Sequence, residues 1–163
     1  MRRALPVLSV LVACVEGEES SPDASVVYGV LDTLVFLYDQ NLIGRPTGGQ
    51  DASAECPLGG TVHITGTTAE TDSAVIDLVF DMAGCANSGT GYNLAFTGIV
   101  GWSGSFRSTG YKALGATADP LEAVGDAGGE AVDASCALAV TDRGEDGATS
   151  TVSGEWCGRS VAF

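Results

Sequence analysis

Few side chains in this sequence could do chemistry: one histidine, His63, and five cysteines among 163 residues. A histidine can serve as a general base. A cysteine thiolate can act as a nucleophile or bind a metal ion, and a cysteine can also pair in a disulfide or carry a lipid. Four cysteines lie in the body of the chain and the fifth, Cys14, lies near its start. The surroundings of these six residues therefore decide which chemistry the chain supports.

His63 lies in a stretch in which polar and apolar residues alternate, with Val62 and Ile64 on either side. This alternation predicts a strand with His63 on its polar face, so we expect a surface histidine without a catalytic role. A serine hydrolase would also need a nucleophile-elbow motif. The most similar stretch, residues 101–105 (GWSGS), lacks the final glycine and is predicted to fall between strands.

The acidic residues do not form a pattern typical of catalysis or metal binding. Asp77 and Asp81 share one side of a predicted strand about 13 Å apart, which is too far for a general acid and base pair. Residues 142–147 (DRGEDG) resemble a calcium loop, but Gly144 and Ser153 occupy positions three and twelve, so two ligands are missing. We expect an acidic hairpin turn here, with no metal site and no cofactor.

The segment before Cys14 is typical of an exported protein. Arg2 and Arg3 precede a short apolar run, residues 4–13, that ends in Leu-Val-Ala before the cysteine. A basic tip, an apolar run and small residues at a cleavage site are the pattern of a secretory signal peptide. Ending this run on Cys14 makes it resemble the lipobox of bacterial lipoproteins. The resemblance implies a diacylglyceryl group on the Cys14 thiol, cleavage before Cys14 and acylation of the new amine, for example with palmitate.

The resemblance also implies a domain organisation and a location. Residues 1–13 would be the signal peptide, residues 14–23 a lipidated tether, and residues 24–163 a single domain. Family members with Asp after the cysteine tend to stay in the inner membrane, so Val15 implies the outer membrane rather than the inner one. Residues 56–60 (CPLGG) and 156–159 (WCGR) also resemble uncharacterised bacterial lipoproteins, a likeness that implies no known activity.

The alternative to a signal peptide is a buried N-terminal helix or strand with an ordinary core cysteine. This alternative does not explain why residues 16–23 (EGEESSPD) are acidic or small and polar immediately after the apolar run. The run itself is too short for a permanent membrane-spanning helix, because such a helix needs about 20 apolar residues. The sequence therefore favours an anchor through lipid on Cys14.

Composition restricts the partners of the mature chain. Without residues 1–13, 150 residues remain, enough for one domain, with five basic and 21 acidic side chains and a net charge near −16. Such a surface repels nucleic-acid phosphates and anionic headgroups, so we expect no nucleic-acid partner. Because the acidic residues are scattered singly, we interpret them as promoting solubility, with cation binding as the alternative.

The four remaining cysteines form an even set in an exported domain, which predicts two disulfides. Three pairings are possible. We favour Cys56–Cys85 and Cys136–Cys157 because each pair brackets one predicted hairpin. Zinc binding is the alternative, but the sequence has no C-x-x-C spacing and the predicted compartment is oxidising. A nucleophilic role for Cys157 lacks a basic partner at matching spacing.

The body of the chain changes its periodicity after Cys56. Apolar residues recur at three and four residues from Ser21 to Gly44, which predicts a helix capped by Ser21 and Pro22, although β-branched residues leave a strand as the alternative. A loop is predicted over residues 47–55. The later period of two predicts an α+β, mainly β fold: an antiparallel meander of six to seven strands with the N-terminal helix packed on its inner face. In-strand glycines such as Gly98 predict that the sheet curls toward a barrel.

Our leading hypothesis is a non-enzymatic, lipid-anchored cell-envelope protein with a structural or interaction role. Val75 and Val79 lie on the solvent side of a predicted strand. Either a loop covers them, or they form a patch for dimerisation or for a protein partner in the envelope.

Two other hypotheses remain open. A carrier of a small apolar ligand would have a cavity between helix and sheet, lined by Leu34, Phe80, Phe96 and Trp102. A hydrolase would need His63 or several acidic residues together in one cleft.

Overall fold

A computed structural model of the protein describes residues 21–163. The predicted signal peptide, Cys14 and most of the predicted tether lie outside the described residues. One helix and eight strands follow one another along the chain: α1 (Pro22–Asn41), β1 (Gly48–Glu55), β2 (Thr61–Glu70), β3 (Ala74–Gly89), β4 (Tyr92–Phe106), β5 (Lys112–Ala127), β6 (Glu130–Gly144), β7 (Thr151–Trp156) and β8 (Arg159–Ala162). The strands form one antiparallel sheet in sequence order, with α1 packed against it. The predicted mainly β meander with an N-terminal helix is confirmed.

Capping signals set the start of α1. The Ser21 side chain accepts a hydrogen bond from the Ala24 amide (3.2 Å), and Pro22 occupies the first turn, where its missing N–H costs nothing. Residues 22 and 23, at the end of the predicted tether, are part of this helix.

Burial of one face stabilises α1 as a helix. Val26, Val27, Val30, Leu34 and Leu37 are each at most 1% exposed and face the sheet. Burying one such side chain contributes about 1.5–3 kcal/mol, whereas the low helix propensity of a β-branched residue costs at most about 0.7 kcal/mol. Burial therefore outweighs propensity, and the strand alternative for this segment is wrong.

The strands alternate between an inner face against α1 and an outer face toward solvent. In β3, Leu78 and Phe80 are buried, whereas Asp77 and Asp81 are exposed. The alternating apolar residues of the neighbouring strand β4, from Tyr92 to Trp102, are buried in the same way. The period-of-two pattern thus predicted the inner face correctly.

The sheet has eight strands, not six to seven. The predicted loop over residues 47–55 is largely strand β1, which pairs with β2 from Gly48 opposite Thr68 to Glu55 opposite Thr61. This segment (GGQDASAE) contains no β-branched or aromatic residue, so local propensity did not indicate a strand. Strand β8 at the other edge has four residues.

Several stretches with the composition of turns lie inside strands. Residues 87–89 end β3, residues 103–104 lie within β4, and residues 125–127 end β5. Glycine and serine at these points resemble turn residues, but pairing keeps the backbone extended, with both neighbouring strands at residues 103–104 and 125–127 and with β4 alone at residues 87–89. Residues 71–73 form the connection between β2 and β3.

The sheet is not closed, so the predicted curling does not reach a barrel. Strands β1 and β8 each pair with one neighbour only. Register shifts interrupt three neighbouring ladders, after Met82, after Gly98 and after Ala118. Such bulges bend a strand and increase its twist locally.

Two in-strand glycines permit unusually close approach between strands. Gly66 in β2 has φ 129° and Gly154 in β7 has φ 153°. A Cβ atom on Gly66 would lie 2.1 Å from the Asp77 carbonyl oxygen, and one on Gly154 would lie 2.2 Å from the Ala139 carbonyl oxygen. Because side chains disfavour this backbone region, both positions require glycine.

We expect Gly66→Ala to lower the free energy of unfolding by about 1–3 kcal/mol, through backbone strain and steric overlap with β3. The denaturant midpoint at constant m-value measures this change. Gly49→Ala is the matched control, since Gly49 lies in an edge strand with no atom within 4 Å of the added Cβ. Equal midpoints for the two variants would contradict the prediction.

Candidate functional site

Four of the five cysteines form disulfides. Cys56 is bonded to Cys85 (Cα–Cα 5.3 Å), and Cys136 is bonded to Cys157 (Cα–Cα 4.8 Å). The favoured pairing is therefore confirmed, and the zinc alternative is wrong for these residues. In this oxidised state Cys157 carries no free thiol that could act as a nucleophile.

His63 lies on the outer face, as predicted, and its side chain is half exposed. Its Nε2 atom is 2.9 Å from an Asp51 carboxylate oxygen. The strand register places Ser53 opposite His63 on one side and Asp81 on the other. Sequence reasoning missed this grouping because it assigned the segment containing Asp51 and Ser53 to a loop.

The grouping around His63 lacks the geometry of a serine hydrolase. The imidazole nitrogen is engaged by Asp51, and no hydrogen bond between the described atoms joins Ser53 to the ring. Asp51 is largely exposed, so the group lies on open surface rather than in a cleft. A nucleophile needs a base within hydrogen-bond reach and donors for the developing oxyanion. The arrangement orients His63 without activating Ser53.

Residues 101–105 lie within strand β4, not between strands as predicted. Trp102 in this stretch is buried in the core, and the ladders with β3 and β5 continue on both sides. A nucleophile elbow needs a sharp turn between a strand and a helix. This stretch therefore has neither the motif nor the backbone shape.

The acidic hairpin between β6 and β7 is held by ion pairs. Lys112 donates a hydrogen bond to Asp142 (3.2 Å), and the Arg107 guanidinium lies 3.6 Å from Asp146. The Thr109 hydroxyl also donates to Asp146. Within residues 21–163, no three His, Cys, Asp or Glu side chains come together in a way that could hold a metal ion.

The interior is filled where the carrier hypothesis requires a cavity. Leu34, Phe80, Phe96 and Trp102 are at most 3% exposed and belong to one continuous core. The Phe80 and Trp102 rings contact each other edge to face at 6.1 Å. None of the four lines the three clefts found at the margins of the domain. These observations count against the carrier hypothesis.

A buried polar network joins α1 to the β3–β4 hairpin. The Asn87 side-chain amide donates to the Thr33 hydroxyl (3.1 Å) and to the Tyr92 hydroxyl (3.0 Å), and the Tyr92 hydroxyl donates to Asp32. Burial raises the pKa of Tyr92 above the usual value of 10.0, and the hydrogen bond and negative charge of Asp32 raise it further. The network keeps Tyr92 protonated and fixes the helix to the hairpin.

The outer face presents an apolar patch. Val75 and Val79 are on the solvent side, as predicted, and are 39% and 38% exposed. Ile99 on the neighbouring strand is more exposed. Because these side chains are open to solvent, the expected covering loop is absent from the described part of the chain. The exposure leaves these side chains uncovered within the described part of the chain.

Comparison with family models, curated proteins and solved structures finds no match for this chain. In the described part of the chain, α1 lacks the combination of length and apolarity that a membrane crossing requires.

We expect the double variant Cys56→Ser, Cys85→Ser to have a free energy of unfolding about 3–4 kcal/mol lower than that of the native chain, because the disulfide closes a loop with a sequence separation of 29 residues. Denaturant titration of the native and variant chains measures the difference. The double variant Cys136→Ser, Cys157→Ser should lose slightly less free energy of unfolding, because these two cysteines are 21 residues apart. Unchanged midpoints in both variants would show that neither bridge constrains the unfolded chain.

We expect the free energy of unfolding to fall as the pH rises above about 10, the ordinary pKa of tyrosine in the unfolded chain. The raised pKa of Tyr92 favours its neutral form in the folded state, so this stability is present below pH 10 and is lost as the pH rises toward the folded-state pKa. Tyr38, whose pKa is raised mainly by burial and also by Asp39 and Glu70, adds to the loss.

The Tyr92→Phe variant tests the contribution of the network to this pH dependence. We expect it to lose about 1–3 kcal/mol at neutral pH, because buried groups lose a hydrogen-bond partner, and to show a shallower decline above pH 10. Tyr111→Phe, outside the network, should keep the full decline. If the free energy of unfolding of Tyr92→Phe fell above pH 10 as steeply as that of the native chain, the assignment of this pH dependence to Tyr92 would be refuted.

Proposed function

We propose that this chain is a lipid-anchored cell-envelope protein with a structural or interaction role. The observation that carries the proposal is the stretch Leu11–Cys14, which follows a basic tip and an apolar run and precedes acidic and small polar residues. The proposed anchor is a diacylglyceryl group on the Cys14 thiol, with acylation of the new amine.

The described domain supports this proposal in two ways. Its helix is capped by Ser21, so residues 15–20 (VEGEES) lie between the proposed anchor and the domain. It also contains two disulfides, which persist in oxidising compartments such as the cell envelope. Both features suit a domain held at a membrane surface outside the cytosol.

Lipid chemistry supports stable attachment. One acyl chain holds a protein to a bilayer only marginally, whereas two or more chains hold it stably, at about 0.8 kcal/mol per buried methylene. A diacylglyceryl cysteine meets that requirement. Val15 in place of Asp after the cysteine favours the outer membrane over the inner one.

An interaction role, rather than catalysis, fits the disposition of the reactive groups. Cys157 is bonded to Cys136, His63 is paired with Asp51, and the hairpin acids are paired with Lys112 and Arg107. The outer-face patch formed by Val75, Val79 and Ile99 is the surface most suited to a protein partner, because its apolar side chains are open to solvent.

Replacing the proposed lipidation residue tests the proposal. We expect Cys14→Ser to move the protein from the membrane fraction to the soluble or precursor pool, because serine has no thiol to alkylate. Val15→Ala is the matched control and should fractionate like the native chain. Mass analysis of the native amino terminus should find the acylated cysteine as its first residue. Unchanged fractionation of Cys14→Ser would refute the anchor.

A further inference from the structure

An apolar cleft lies beside the first turns of α1. It has a volume of about 440 Å³ and is lined by Ala24, Ser25, Tyr28, Thr90 and Phe163. Tyr28 and Phe163 are 43% and 45% exposed, although both are large and aromatic. Their rings lie edge to face at 6.4 Å. We call these five residues the aromatic end of the domain.

The aromatic end lies where the preceding chain enters the domain. Three of its residues belong to the first two turns of α1, immediately after Ser21. Thr90 belongs to the turn between β3 and β4. The Gly128 amide, in the turn between β5 and β6, donates a hydrogen bond to the Gly91 carbonyl (2.8 Å) and so joins the two turns. The cleft and the start of the described chain therefore share one end of the molecule.

Chain length limits how far this end can lie from a bilayer. Cys14 precedes Ser21 by seven residues, and a fully extended chain spans at most about 3.6 Å per residue, or about 25 Å in total. A lipid on Cys14 would hold the aromatic end within that distance of the membrane surface. No other surface of the domain is connected to the anchor by so short a segment.

We propose that the aromatic end contacts the headgroup region of the bilayer that holds the anchor, an inference that rests on the proposed lipidation of Cys14. Aromatic side chains with a polar tip, such as Tyr28, favour the membrane–water interface. Transfer of the exposed Phe163 ring from water into this interface is favourable, because apolar surface leaves water. The lipid anchor thus sets an orientation as well as a location.

The charges around the aromatic end determine which lipid it prefers. Arg159 donates a hydrogen bond to Asp23 at 2.6 Å, so this pair contributes no net charge. Asp126 and Glu130 in the adjoining hairpin are exposed acids. Anionic headgroups would repel them. The contact is therefore apolar in origin and favours zwitterionic phospholipid.

Tryptophan fluorescence tests the contact in the full lipidated chain. The native indoles of Trp102 and Trp156 are 3% and 1% exposed. The Phe163→Trp variant therefore adds an indole at an exposed position, which can be distinguished from the two buried ones. The chain is reconstituted into phosphatidylcholine vesicles whose acyl chains carry bromine near the headgroup. We expect the added emission to shift to shorter wavelength and to be quenched. Tyr28→Trp supplies a second probe at the same end if Phe163→Trp does not fold.

Val79→Trp is the matched control, because it places an exposed indole on the outer face with the same anchor. We expect no quenching of its added emission. Quenching of Phe163→Trp but not of Val79→Trp supports the contact. Equal quenching of both, or of neither, overturns it.

Flotation of the same vesicles separates this inference from the anchor. Chains that float without quenching of the Phe163→Trp probe overturn the contact and leave the anchor standing. Chains that do not float overturn the anchor, and the contact with it. Cys14→Ser should show neither flotation nor quenching, because two aromatic side chains alone bind a bilayer weakly.

Discussion

The rest of the described structure depends on one constraint: the helix α1 must cover the apolar face of an eight-stranded sheet. The buried side chains of α1 and those of the strands form one continuous core, with Trp156, Phe80, Phe96, Leu34 and Leu37 among its largest members. Cys56, Cys85 and Tyr92 belong to this core, and the Cys136–Cys157 disulfide packs against it. Without the helix, the inner face would be exposed to water along its length.

The groups of the described domain that could do chemistry are engaged in bonds within it. Its cysteines are oxidised, its histidine is paired on open surface, and a protonated phenol fastens the helix to a hairpin. The proposed function therefore rests on two surfaces: the apolar patch on the outer face, proposed for a protein partner, and the aromatic end beside Ser21, proposed for lipid.

The parts of the fold with strong local signals were predictable from sequence. Ser21 and Pro22 marked the helix start, the period of two marked the inner face, and hairpin spacing favoured the observed disulfide pairing. Strand β1 was not predictable, since its small residues carry little strand propensity and it forms only by pairing with β2. The contact between Asp32 and Tyr92 joins residues 60 apart in sequence, and no local pattern indicates it. The grouping of Ser53 with His63 depends on the register of β1 and was missed for the same reason.

The position of α1 at the beginning of the described chain has a consequence for folding during synthesis. The helix emerges first, yet its partners are β3 to β6 and β8, all of which follow it. The ion pair between Asp23 and Arg159 spans 136 residues, so it forms only after nearly the whole chain has appeared. Until these strands have appeared, the apolar stripe of the helix lacks part of its native cover. A nascent chain of this protein must therefore be shielded, or folded late and in one concerted step, before it becomes a stable domain.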